Sequence, residues 1–131
     1  MSPETPEGTP SYESLLTRAG LSHALGQTEE ALRWVARAQA LDPARSDAWR
    51  AAGVLLDALG RTEEAIAAWR HALARNDRDR EAWVNLAFVL GRRSPAEGID
   101  AYRALLSRWP DDPAALHNLQ FLLDTAGAEE A

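Results

Sequence analysis

The stretch Leu25-Gly26-Gln27-Thr28-Glu29-Glu30-Ala31 returns, 34 residues later, as Leu59-Gly60-Arg61-Thr62-Glu63-Glu64-Ala65. A seven-residue frame recurring at one fixed period marks a repeat protein. The same shift carries Leu15 to Trp49, Ala38 to Ala72 and Trp49 to Trp83. A shift of 33 then carries Trp69 to Tyr102, Asp77 to Pro110 and Trp83 to Leu116, so one residue has been lost near Ser94-Pro95.

Each period reads as two helices. In the second, Ser46 is placed to cap a helix whose apolar residues Trp49, Ala52, Leu55, Leu56 and Leu59 follow helical spacing. Gly60 then supplies the left-handed residue that ends a helix. Thr62 is placed to cap the next, with Glu63 and Glu64 in the first turn, where the macrodipole favours carboxylates. Ala65, Ile66, Trp69, Ala72 and Leu73 form its apolar stripe. In the third period Ser94-Pro95-Ala96-Glu97 reads as a capping box with proline at the first helical position. No segment alternates with a period of two. The pattern predicts an all-α fold of about seven helices, near residues 11–25, 28–41, 47–59, 62–75, 80–92, 95–108 and 113–126. Helices this short, each apolar on one side, must stack on their neighbours.

The 131 residues suffice for one domain, with 46% hydrophobic and 26% charged residues. The absence of cysteine removes disulfides, thiolate metal sites and cysteine nucleophiles. No run approaches the roughly 20 apolar residues that span a bilayer. Together with an acidic, proline-rich start lacking signal-peptide features, this points to a cytoplasmic protein without a membrane partner. Net charge is −6, but the excess lies at the ends, in Glu4 and Glu7 and in Asp124, Glu129 and Glu130. All 14 basic residues are arginine. Arg75, Arg78 and Arg80 alternate with Asp77, Asp79 and Glu81, so no basic stripe for nucleic acid forms. His23, His71 and His117 fall in different repeats, without metal-ligand spacing, a catalytic constellation or a phosphate loop. Neither enzyme nor cofactor is expected.

The pattern resembles the tetratricopeptide repeat. The residues that carry the likeness are Trp83-x-x-Leu86-Ala87-x-x-Leu90 and Trp49-x-x-Ala52-Gly53-x-x-Leu56. To these are added Ala31 with Val35, Ala65 with Trp69, Gly98 with Tyr102, and the closing Pro43 and Pro110. The resemblance implies a right-handed α-solenoid of antiparallel helix pairs. Residues 1–10 would then be a disordered tail, ahead of three repeats at about 12–45, 46–79 and 80–112 and a capping half-repeat at 113–127. It further implies a non-catalytic protein-interaction scaffold whose first helices line a concave groove for a protein or peptide partner. The groove residues would be Arg50, Val54, Asn85, Phe88, Arg92, His117, Asn118 and Phe121, with Leu16, Thr17, Gly20 and His23 in the first repeat. Ala51, Asp57, Ala58, Val84 and Asp124 would line it with them. Asn85 and Asn118 repeat at one place, where an amide can bond a ligand backbone, and Phe88 and Phe121 repeat at another.

Some family members clamp a C-terminal carboxylate with lysine and asparagine. Asn85 matches one element of that clamp, but no lysine exists here. Alternatives to the groove reading are a regulatory partner of a catalytic protein and a homo-oligomeric scaffold. For the latter, Leu116, Leu119 and Leu123 are expected to pack on the preceding helix, leaving Leu122, Ala115 and Ala126 as an exposed strip for a second chain. Gly98, standing where Ala31 and Ala65 stand, is expected to weaken its helix, so that Gly98→Ala would stabilise it.

Overall fold

The structure, a computed structural model, describes the backbone of residues 8–130 and the side chains of residues 8–127. The tail expected over residues 1–10 lies mostly outside them. Seven helices follow one another among the described residues: α1 (Tyr12–Ala24), α2 (Thr28–Leu41), α3 (Ser46–Ala58), α4 (Thr62–Arg75), α5 (Arg80–Arg93), α6 (Pro95–Arg108) and α7 (Pro113–Glu130). Each helix packs mainly on its sequence neighbours, as a solenoid requires.

The two copies of the recurring heptapeptide form the same turn. Gly26 and Gly60 take φ of +80° and +76°. Around Gly60, its N–H bonds to Asp57 and the Arg61 N–H reaches back to Leu56, both at 2.9 Å, the pattern that closes a helix on a left-handed residue. The third repeat is one residue shorter, and its connection is a single residue rather than three. There Ser94 ends α5 and caps α6, its hydroxyl accepting from the Glu97 N–H, with Pro95 first in the helix.

Connections between repeats are secured differently. Asp79 and Asp112 are buried N-caps of α5 and α7, accepting from the Ala82 and Ala115 N–H groups at 3.1 and 3.0 Å. At the start of α3 the Tyr12 hydroxyl does the equivalent work, accepting from the Ala48 N–H at 2.8 Å. Ser46 therefore does not cap, contrary to expectation. It is the first residue of α3, is buried, and donates its hydroxyl to Asp79 at 2.9 Å. Thr62 likewise opens α4 rather than capping it.

The core is continuous. One buried cluster joins α1, α2 and α3, a second joins α4 to α7, and Leu56 packs against both. Trp69 is buried against Gly53, where any Cβ would sit 2.6 Å from the indole Cδ1. Trp49 and Trp83 are half-buried instead. Their indole N–H groups bond to the carbonyls of Pro43 and Asp77, and Arg75 and Arg108 lie 4.2 and 4.7 Å above the rings. Arg18 and Arg37 flank Trp34, Arg45 covers Tyr12 and Arg78 covers Trp109. A planar guanidinium stacks on a ring face as an ammonium does not, which gives the all-arginine composition a structural use.

Two further expectations are corrected. Gly98 is not a defect: an added Cβ would land on the Gly91 Cα and come within 2.7 Å of Leu122 Cδ1, so the glycine permits close approach of α5 and α6. The apolar strip of α7 is also on another side. Ala115 and Leu122 are buried and Ala126 is half-buried, whereas Leu116 and Leu123 are exposed. Ala115 repeats the positions of Ala48 and Ala82, and Leu122 those of Leu55 and Val89, all buried against the preceding repeat.

Candidate functional site

Val54 in α3, Phe88 in α5 and Phe121 in α7 occupy one repeat position and are 42%, 58% and 65% exposed. Large apolar side chains so open to water, in register on successive first helices, make a row of contact area. Between Phe88 and Phe121 lies a cavity of about 230 Å³, completed by Gly91, Arg92, Tyr102, Asn118 and Leu122. It has room for one bulky side chain.

The cavity exists because Gly91 contributes no side chain, while Tyr102 of α6 reaches between α5 and α7 to form its base. Asn118 donates its amide to the Tyr102 hydroxyl at 3.2 Å. Burial raises the Tyr102 phenol above its ordinary value, the Asn118 bond working against it, so the hydroxyl stays protonated at neutral pH and can donate to a ligand. Tyr102 repeats the position of Trp69, and Asn118 that of Asn85. The second repeat does not form the same bond. Trp69 Nε1 is buried without a partner, and no hydrogen bond engages the Asn85 side chain among the described residues. Asn85 is half-buried, with its amide available to a ligand.

The charged candidates divide. Arg50 is held by Asp79 at 2.8 Å, with Glu81 and Asp47 at 3.4 and 3.7 Å, and serves the fold. Arg92 is half-exposed at the cavity rim and pairs with Asp57 at 2.7 Å. His117 is exposed. Asp124 accepts from Gln120, and Ala58 is exposed while Ala51 and Val84 are half-buried. In the first repeat Gly20 is exposed, Leu16 packs on the core, the Thr17 hydroxyl bonds to the Glu13 carbonyl and His23 pairs with Thr28. Gly91 and Tyr102 were not singled out from sequence as groove residues. The hydroxyl of Tyr102 in a column that otherwise holds Val35 and Trp69 was the available signal.

A stack of antiparallel helix pairs with an open apolar row defines a helical-repeat protein. Residues 46–89 match the family model described as tetratricopeptide repeat, and the helix pairs on either side of that stretch have the same fold. No curated protein matches it. Among solved structures it is similar to two described as MamA, both at 21% identity. The first has a TM-score of 0.77 over 89% of this chain, and the second 0.80 over 92%. The chain spans 64% of the first MamA chain's length and 71% of the second's. It is also similar to the first TPR of Spaghetti (RPAP3), solved bound to the HSP90 peptide SRMEEVD, at 15% identity and a TM-score of 0.79. That match covers 88% of this chain and 95% of the other. No described helix is long and apolar enough to cross a membrane.

Proposed function

We propose that the chain is a non-catalytic binding module that holds an extended segment of a protein partner across α3, α5 and α7. The cavity between Phe88 and Phe121 would seat one apolar side chain of that segment, and Asn85 would bond its backbone. The observation that carries this reading is the registered row Val54, Phe88, Phe121, exposed beside a preformed cavity. Preorganisation lowers the entropic cost of binding. That a neighbour of the same fold was solved with a peptide supports a peptide-like ligand. Its acidic peptide is not the chemistry favoured here. Lysine is absent, Arg50 is engaged by three carboxylates, and Glu81 is exposed beside it.

Selection from a displayed random-peptide library would test the reading. Selected peptides should share a bulky apolar residue, and Phe88→Ala should weaken them about ten-fold or more, the scale of an aromatic anchor. Because Phe88 is 58% exposed, its removal should leave thermal stability nearly unchanged. Peptides that bind Phe88→Ala as tightly as the parent chain would refute the groove.

A further inference from the structure

Every first helix has one side toward the preceding repeat and another toward its own second helix. On the preceding side, Leu55, Val89 and Leu122 are buried, yet Leu21, at the same position in α1, is 62% exposed. Leu25, one turn further on, is 75% exposed. On the other side, Trp49 and Leu56 are half-buried beneath α4, and Trp83 and Leu90 are half-buried and buried beneath α6. Leu116 and Leu123 repeat those positions in α7 and are 48% and 36% exposed. Apolar positions buried or half-buried inside the stack, at Leu21, Leu116 and Leu123, thus carry bare leucines at its two opposite ends.

The ends also differ in charge. Arg18 stands one turn before Leu21 on α1 and takes part in no ion pair among the described residues. The α7 side carries Gln120 and Asp124, bonded to each other at 2.8 Å, and α7 contains no arginine. Two α7 faces together would bring carboxylates without a cation, whereas α7 against α1 brings Asp124 toward Arg18.

We propose that this outer face of α7 docks on the outer face of α1 in a second copy of the chain, each helix covering the leucines the other leaves bare. The contact is heterologous, so one association leaves a free end at each side and growth continues head to tail. A single helix face is smaller than a standard interface, which places the association at high concentration. It uses none of Val54, Asn85, Phe88 and Phe121 and stands independently of the peptide-binding reading.

Sedimentation velocity of the 131-residue chain over about 10 µM to 1 mM tests the contact, a range suited to a small interface. The average mass should rise with concentration. Leu21→Glu and Leu123→Glu should each be monomeric with unchanged helicity. Mixed in equal amounts they should form a dimer and stop there, because only one intact α1 face then meets one intact α7 face. Leu116→Glu repeats the α7 arm if Leu123→Glu loses helicity. A parent chain that is monomeric throughout, a Leu21→Glu variant that still self-associates, or a mixture that stays monomeric would each overturn the proposal.

Discussion

The second and third repeats close their helix pairs in opposite ways. In the second, the bulk of Trp69 from α4 fills the space left by Gly53 in α3. In the third, α5 and α6 meet glycine to glycine, Gly91 and Gly98 replacing Asp57 and Ala65 at the equivalent positions. Direct backbone approach leaves nothing to fill the space alongside, and the cavity lined by Tyr102 opens there. The second repeat is built for packing; the third gives up side-chain volume and gains a cavity.

The largest effect should come from emptying the filled pair. Trp69→Ala should cost about 3–5 kcal/mol in denaturant unfolding. Gly53→Ala alone should cost about 1–3 kcal/mol by overpacking. In the Trp69→Ala background the same glycine change should cost little or even stabilise, since its obstacle is gone. Additive losses would mean that the two residues do not act as one fitting.

The glycine pair should respond next. Gly98→Ala should destabilise by about 1–3 kcal/mol, despite alanine's better helix propensity, because the methyl meets the Gly91 backbone and Leu122. Since Leu122 also lines the cavity, peptide binding should fall with it. A stabilised variant with intact binding would dissolve the contrast between the two repeats.

The smallest effect concerns the caps of the two pairs. The Ala115 N–H, more than the neighbouring Arg80 guanidinium, holds the Asp112 carboxyl below its ordinary value of 3.8 against the opposing effect of burial. A lowered folded value means that this stabilisation is complete above the ordinary value and is lost as pH falls through the folded one. Asp112→Asn keeps a capping oxygen but not the charge. It should lose at most about 1 kcal/mol at neutral pH and show a flatter stability profile below pH 3.8. An unchanged acid profile would remove Asp112 from the account.

What could be read from sequence follows the physics of each feature. The glycine turns, Pro95 and the alternation of helices were legible because backbone propensities are local. The register was legible too, and carried on to Leu122, a step the reading of α7 omitted, it aligns that residue with Leu55 and Val89. Spacing within α7 alone pointed to the wrong leucines, because Leu116, Leu119, Leu122 and Leu123 span too much of the helix circumference to choose a face. Gly98 was misread for a different reason. Its partner Gly91 lies across a turn, and the cost of a methyl there depends on the distance between two backbones. The cavity was hidden likewise, since its base, Tyr102, belongs to a second helix and reads as core.

The helix starts have a mechanical consequence. Tyr12 holds the start of α3, Ser46 and Arg50 hold the cap of α5, and Arg80 holds the cap of α7. Tyr12, Asp79 and Asp112 at these joints are buried, so dissolved ions reach them poorly. At the other edge, Arg92–Asp57 and Arg93–Glu63 join the helices through more exposed pairs, which salt weakens. The molecule is a fan riveted along one edge and tethered along the other. Rising ionic strength should let the tethered edge spread, and small-angle scattering over a salt series reads that opening as a change in curvature.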